Sequence, residues 1–117
     1  MKTYKIIPVP ACRMVQSDKW KNPRRPCVQR YFDFRDEVKR LKIKVDNGDS
    51  IRFILPMPDS WSKKKKAKLD GEGHMQTPDL DNLLKALLDA IMTQDKGIYY
   101  LSGLTKVWGK EGRIIID

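Results

Sequence analysis

The stretch "TPDLDNLLKALLDAI", residues 77–91, constrains the fold more than any other. Read at 3.6 residues per turn, it puts Leu80, Leu83, Leu84, Leu87, Leu88 and Ile91 on one side. Such a stripe is stable only when it is covered by a partner surface. A helix over about 79–92 therefore belongs to a core, and the rest of the chain must supply the other half. With 117 residues there is material for one compact domain spanning 1–117. A chain of this size buries roughly two-thirds of its unfolded surface, enough for one core.

The covering elements can be read in turn. "TYKIIPV", 3–9, reads as a strand ended by Pro8 and Pro10. Residues 11–32 show no sustained period and read as a long basic loop, with Trp20 and Tyr31 set among arginines and lysines. "DFRDEVKRLKI", 33–43, reads as a helix capped by Asp33. "SIRFILPMP", 50–58, is a strand, and 59–73 opens with cap residues before a short lysine-rich helix. Residues 97–108 and 113–116 read as an antiparallel hairpin, with Gly103 as a bulge and Gly112 at positive φ. The expected fold class is α/β of the mixed α+β kind: a small mixed sheet with helices on one face.

Charge narrows the partner. The net charge is +9, and it is unevenly spread. Residues 1–70 carry 19 Lys/Arg against 8 Asp/Glu, whereas 71–117 carry 5 against 7. A basic surface beside a carboxylate-bearing segment suits a polyanion gripped in one place and worked on in another. Basic residues interleaved with aromatics suit phosphate contact plus base stacking, and equally a solvated loop whose aromatics pin it to the core. No apolar run approaches the ~20 residues of a membrane span, so no membrane partner is expected. Cys12 and Cys27 show no CxxC pairing; one disulfide between them is open, but they read rather as reduced thiols of a cytoplasmic protein. His74 is the only histidine, which disfavours a His/Cys zinc site.

The chemistry-bearing residues sit where the leucine helix begins. If Asp79 lies at or before the N-cap, in extended geometry, its side chain and that of Asp81 reach the same side. Pro78 favours this by restricting Thr77 to extended backbone. Two carboxylates with water and phosphate oxygens form the usual Mg²⁺ donor set. The plain alternative is a helix-dipole cap followed by an Asp81–Lys85–Asp89 ladder at i, i+4 spacing. By spacing alone that ladder is the commoner outcome. Asp95 is the candidate third acid, but a straight helix to residue 92 leaves it about 20 Å from the helix start.

"SWSKKKKAKLDGEGHMQTPDLDNLLKALLDAI" resembles the central segment of the RusA family of Holliday junction resolvases, in its phage and prophage form. The family signature Pro-Asp-x-Asp-Asn-Leu-x-Lys-x-x-x-Asp is matched by Pro78, Asp79, Asp81, Asn82, Leu83, Lys85 and Asp89. "LTKVWGKEGRI" is similar to the family's C-terminal lysine-containing hairpin. The resemblance covers roughly 57–117, with a looser fit of the first strand. It implies a RusA-like endonuclease domain that cuts four-way or other branched DNA as a homodimer, with Mg²⁺ as cofactor and Mn²⁺ as its substitute.

The resemblance also implies residue roles. Asp79, Asp81 and Asp95 would be catalytic metal ligands, and Lys85 would steady the charge on the scissile phosphate. Lys63, Lys64, Lys65, Lys66 and Lys68, with Lys21, Arg24 and Arg25, would grip the DNA arms. Two departures stand out: Lys96 occupies one of two positions where the family has acids, and Thr77 stands where a basic residue is common. Three other readings stay open: a junction-binding protein with weakened catalysis, a less specific branched-DNA nuclease, and a small basic protein whose acids only stabilise a helix.

Overall fold

The computed structural model describes residues 1–12, 25–91 and 97–117. Its elements are β1 (Lys2–Tyr4), α1 (Pro26–Leu41), β2 (Ser50–Pro56), α2 (Lys63–Leu69), α3 (Leu80–Ile91), β3 (Gly103–Gly109) and β4 (Arg113–Ile116). The strands form one mixed sheet in the order β1-β4-β2-β3. The pair β2–β3 is parallel, whereas β2–β4 and β1–β4 are antiparallel. The fold is α+β, as expected.

The leucine stripe finds its cover in α1 and in one face of the sheet. Leu83, Ala86, Leu87 and Ala90 of α3 meet Tyr31, Phe34 and Val38 of α1. Both helices rest on Ile51, Phe53 and Leu55 of β2 and on Ile114 and Ile116 of β4. Leu83 and Leu87 are fully buried, and each such side chain contributes about 1.5–3 kcal/mol.

Several expectations need correction. First, α1 begins at Pro26 rather than at Asp33. Proline at N1 has its φ already set for a helix and lacks an N–H that would go unbonded there. Val28, Tyr31, Phe34 and Val38 then recur every three to four residues as the buried side of α1. Asp33 lies within the helix and accepts from Gln29 Nε2 at 2.8 Å instead of capping it. Tyr31 is accordingly a core residue, not part of a solvent loop.

Second, β3 and β4 do not pair as a hairpin, because both flank β2. Residues 110–112 cross the end of β2. Gly109 lies where a Cβ would meet Ile54, and Gly112 where a Cβ would stand 2.7 Å from the Ile7 Cα. These glycines serve close backbone approach, and Gly112 has no positive φ. Residues 98–102 are not strand, since their amides are used elsewhere. Asn47 Oδ1 accepts from the N–H of Tyr99 at 2.8 Å, and the Asp49 carbonyl accepts from the N–H of Ser102 at 2.9 Å.

Third, Cys12 and Cys27 are bonded to each other as a disulfide, with Cα atoms 6.0 Å apart, not reduced. The earlier helix start carries Cys27 within disulfide reach of Cys12. The first strand is also shorter than expected. Beyond Tyr4 the chain turns, with Ile6 N–H donating to the Tyr4 carbonyl, and Ile6 drops into the core.

Candidate active site

The start of α3 is built by three neighbouring segments. Asp79 immediately precedes the helix, and its carbonyl accepts from Leu83 N–H at 3.1 Å, which makes it the N-cap residue. Asp81 lies in the first turn, and its Oδ1 accepts from the N–H of Asn82 at 3.0 Å. Both carboxylates are exposed, as is Lys85 one turn further on. Among the described residues no cation pairs with either aspartate. The Asp81–Lys85–Asp89 ladder is not formed. Asp89 instead faces Tyr31 of α1. Burial first, then this carboxylate, push the Tyr31 phenol above its ordinary value.

The segment before Asp79 is fixed from the sheet. Residues 71–74 run along the outer edge of β3. Gly71 N–H donates to the Trp108 carbonyl, Trp108 N–H to the Glu72 carbonyl, and His74 N–H to the Lys106 carbonyl, at 2.8–3.0 Å. Lys106 then reaches back. Its Nζ donates to the carbonyls of Gln76 at 2.5 Å and Pro78 at 2.7 Å. The Thr77–Pro78 peptide bond between these carbonyls is cis. From the other side, Ala11 N–H donates to the Asn82 carbonyl at 3.1 Å. The chain on both sides of the basic segment 13–24, joined at Cys12–Cys27, is therefore anchored beside the first turn of α3.

His74 is the one buried polar side chain among the described residues, and its ring lies 4.0 Å from that of Trp108. Its Nδ1 accepts from Gln76 N–H at 3.4 Å. Burial, and then the positive charge of Lys106, hold its pKa below the ordinary value, so it is neutral at pH 7. The unfolded chain takes up this proton more readily near pH 6.5. His74 therefore contributes stability that is full above that pH and is lost as pH falls through the lower folded value. We expect the thermal midpoint to drop between pH 7 and pH 5, and His74→Phe to flatten that part of the profile. An equal slope in native and variant proteins would remove His74 from the account.

The lysine helix α2 hangs on the same edge. Ser62 caps it, accepting from Lys65 N–H at 3.2 Å, and it buries no residue of its own. Its anchor is Trp61, whose ring lies 4.8 Å from Trp108 on one side and 4.2 Å from the Lys65 ammonium on the other. Lys63, Lys64, Lys65 and Lys68 are exposed, and Lys66 is half-buried. Trp108 and Lys106 are two residues apart in β3, about 7 Å at ~3.3 Å per residue. The basic helix and the carboxylate pair are thus mounted on neighbouring positions of one strand.

Of the remaining candidates, Lys21, Arg24 and Asp95 lie outside the described residues, and Arg25 stands at the N-cap of α1. Among the described residues no group of three His, Cys, Asp or Glu comes together to hold a metal. The donor set present is the pair Asp79 and Asp81. Their hard, exposed oxygens, without a cationic partner among the described residues, fit a divalent ion that takes its remaining ligands from water and phosphate.

Sequence reasoning did not single out His74, Trp61, Trp108 and Lys106 for their place in this assembly. One signal was available. Leu104, Lys106 and Trp108 alternate on the core side of β3, opposite Ile51, Phe53 and Leu55, and a lysine interrupts that side. No helix among the described residues is long and apolar enough to cross a membrane. No curated protein matches the chain. The family model described as endodeoxyribonuclease RusA matches residues 28–117, from the first turns of α1 to the last residue. With Asp79 and Asp81 at the start of α3 and the family match running from the first turns of α1 to the last residue, this chain belongs to the RusA endodeoxyribonuclease family.

Proposed function

We propose that the protein is a divalent-metal-dependent endonuclease that resolves four-way DNA junctions by paired hydrolysis as a homodimer. The observation that carries the reading is the exposed pair Asp79 and Asp81 at the start of α3, without a cationic partner among the described residues, in a chain of this family. Asp79 and Asp81 would hold Mg²⁺, or Mn²⁺ in its place, with Asp95 as third acid. When bound, the ion supplies the acidity that makes water nucleophilic and the charge that offsets the phosphate. Lys85, one turn along the same helix, offers a cation to the charge that builds on the phosphate oxygens. The lysines of α2, with Lys21, Arg24 and Arg25, hold the arms. A four-way junction has approximate two-fold symmetry, so two copies related by a two-fold axis would address two strands of like polarity.

A second reading has its own observation. Lys96 occupies a position where the family carries an acid, which favours junction binding with weakened cleavage. One experiment separates the two. A synthetic four-way junction, a flap and a linear duplex are incubated with the protein, with Mg²⁺ or with EDTA, and the cut positions are mapped on each strand. Symmetric paired cuts in the junction alone, only with metal, support resolution. Cuts in flap and junction alike point to a broader nuclease. Binding in EDTA with no cut under any metal sinks the catalytic reading.

A further inference from the structure

Lys106 occupies an odd position. It lies on the core side of β3, in register with Phe53, between Leu104 and Trp108, where the pattern calls for an apolar residue. A lysine at such a place is costly unless its ammonium finds oxygen partners. It finds two, the carbonyls of Gln76 and Pro78, at 2.5 and 2.7 Å. These carbonyls lie on either side of Thr77, and the Pro78 carbonyl belongs to the peptide group that leads into Asp79. The backbone of Lys106 also holds this segment, since its carbonyl accepts from His74 N–H at 3.0 Å. One residue therefore ties the approach to α3 at three points, two by its side chain and one by its main chain.

We infer that Lys106 is the positioning residue of the Asp79–Asp81 pair, a clamp on the Gln76 and Pro78 carbonyls that fixes how the chain enters α3. This rests on the metal reading above and adds a residue to it. The argument is geometric. Asp79 is exposed and no side chain among the described residues holds it, so its direction is set by the backbone before it. That backbone forms no regular element, and an ammonium with two short bonds is what restrains it. Outer groups that orient metal ligands typically change metal affinity or activity about 10- to 100-fold when removed.

The test compares the native protein with Lys106→Met, which has no donor, and Lys106→Arg, which keeps both donors and charge. Mn²⁺ binding is followed by electron paramagnetic resonance without DNA, and amide hydrogen exchange is followed in the peptide covering 77–81. Lys106→Met is expected to bind Mn²⁺ about tenfold or more weakly and to exchange faster in 77–81. Lys106→Arg is expected to restore both to near native. Native-like affinity and exchange in Lys106→Met overturn the inference, as does equal weakening in the Arg variant. If Lys106→Met fails to fold, Lys106→Gln is read against Lys106→Arg in the same measurements, and equality of both with native overturns it. A native protein that binds no Mn²⁺ refutes the metal reading instead, and the exchange comparison then decides the clamp alone.

Discussion

Asp81→Asn is expected to lower metal-dependent junction cleavage by at least about a hundredfold, more than the typical effect of losing an outer-shell partner. Junction binding in EDTA is expected to stay equal or become slightly tighter. The substitution is nearly isosteric, and the side-chain oxygen that accepts from Asn82 N–H at 3.0 Å is kept. What is lost is one negative charge at a site that must attract a cation. Without metal, that same carboxylate repels the phosphate backbone, so its removal cannot weaken the grip on DNA. Asp79→Asn should behave alike. Asparagine caps a helix about as well as aspartate, so the thermal midpoint should hardly move. Cleavage surviving in both variants would show that the pair is only a helix start. Loss of binding together with cleavage would show that the residues support the fold.

The second large effect concerns salt. Replacing Lys63, Lys64 and Lys68 together by glutamine is expected to make the log–log salt dependence of junction binding shallower by about 2.7, at ~0.9 per lost phosphate contact. If the native and variant lines meet near 1 M salt, the affinity at 0.1 M falls by up to about 500-fold. Lys65 is left in place because its ammonium lies over the Trp61 ring, which anchors the helix. The fold should not suffer, since α2 buries no residue and glutamine is a fair helix former. The measurement is junction affinity in EDTA at several salt concentrations. An unchanged slope would place the grip elsewhere, with the basic 13–30 region as the next candidate.

The leucine helix was legible because its signal is local and repeated. Six apolar positions at helical spacing leave one solution, and α3 follows them closely. The carboxylates at its start were equally visible, since the candidate pair lies within one three-residue stretch. The sheet order was not. "KEG" between two apolar runs has the look of a tight hairpin turn, and only the intrusion of β2 between the runs prevents it. That intrusion depends on a parallel pairing between residues some fifty positions apart, which no local pattern encodes. The start of α1 was masked by composition. Val28 and Tyr31 sit among arginines, and the proline that marks N1 reads as loop when the apolar spacing around it is missed. In the sequence, Lys106 is marked only as the lysine of "LTKVWGKEGRI", the segment similar to the family's C-terminal hairpin. A charge on the apolar side of a strand is a departure whose reason lies in the segment it restrains.

The backbone of residues 71–74 along β3 also bears on how copies of this chain can meet. By occupying the N–H and carbonyl groups of Trp108 and the carbonyl of Lys106, it covers the Lys106–Trp108 part of a sheet edge that would otherwise serve as a template for another strand. The opposite edge is β1, three residues long, and such short edges offer little to a foreign strand. Among the described residues the sheet thus leaves only short open stretches of edge to a foreign strand. Two protomers would then associate through side-chain surfaces, not by extending one sheet across the pair. A basic protein crowded along DNA is spared the strand-to-strand aggregation that an open edge invites.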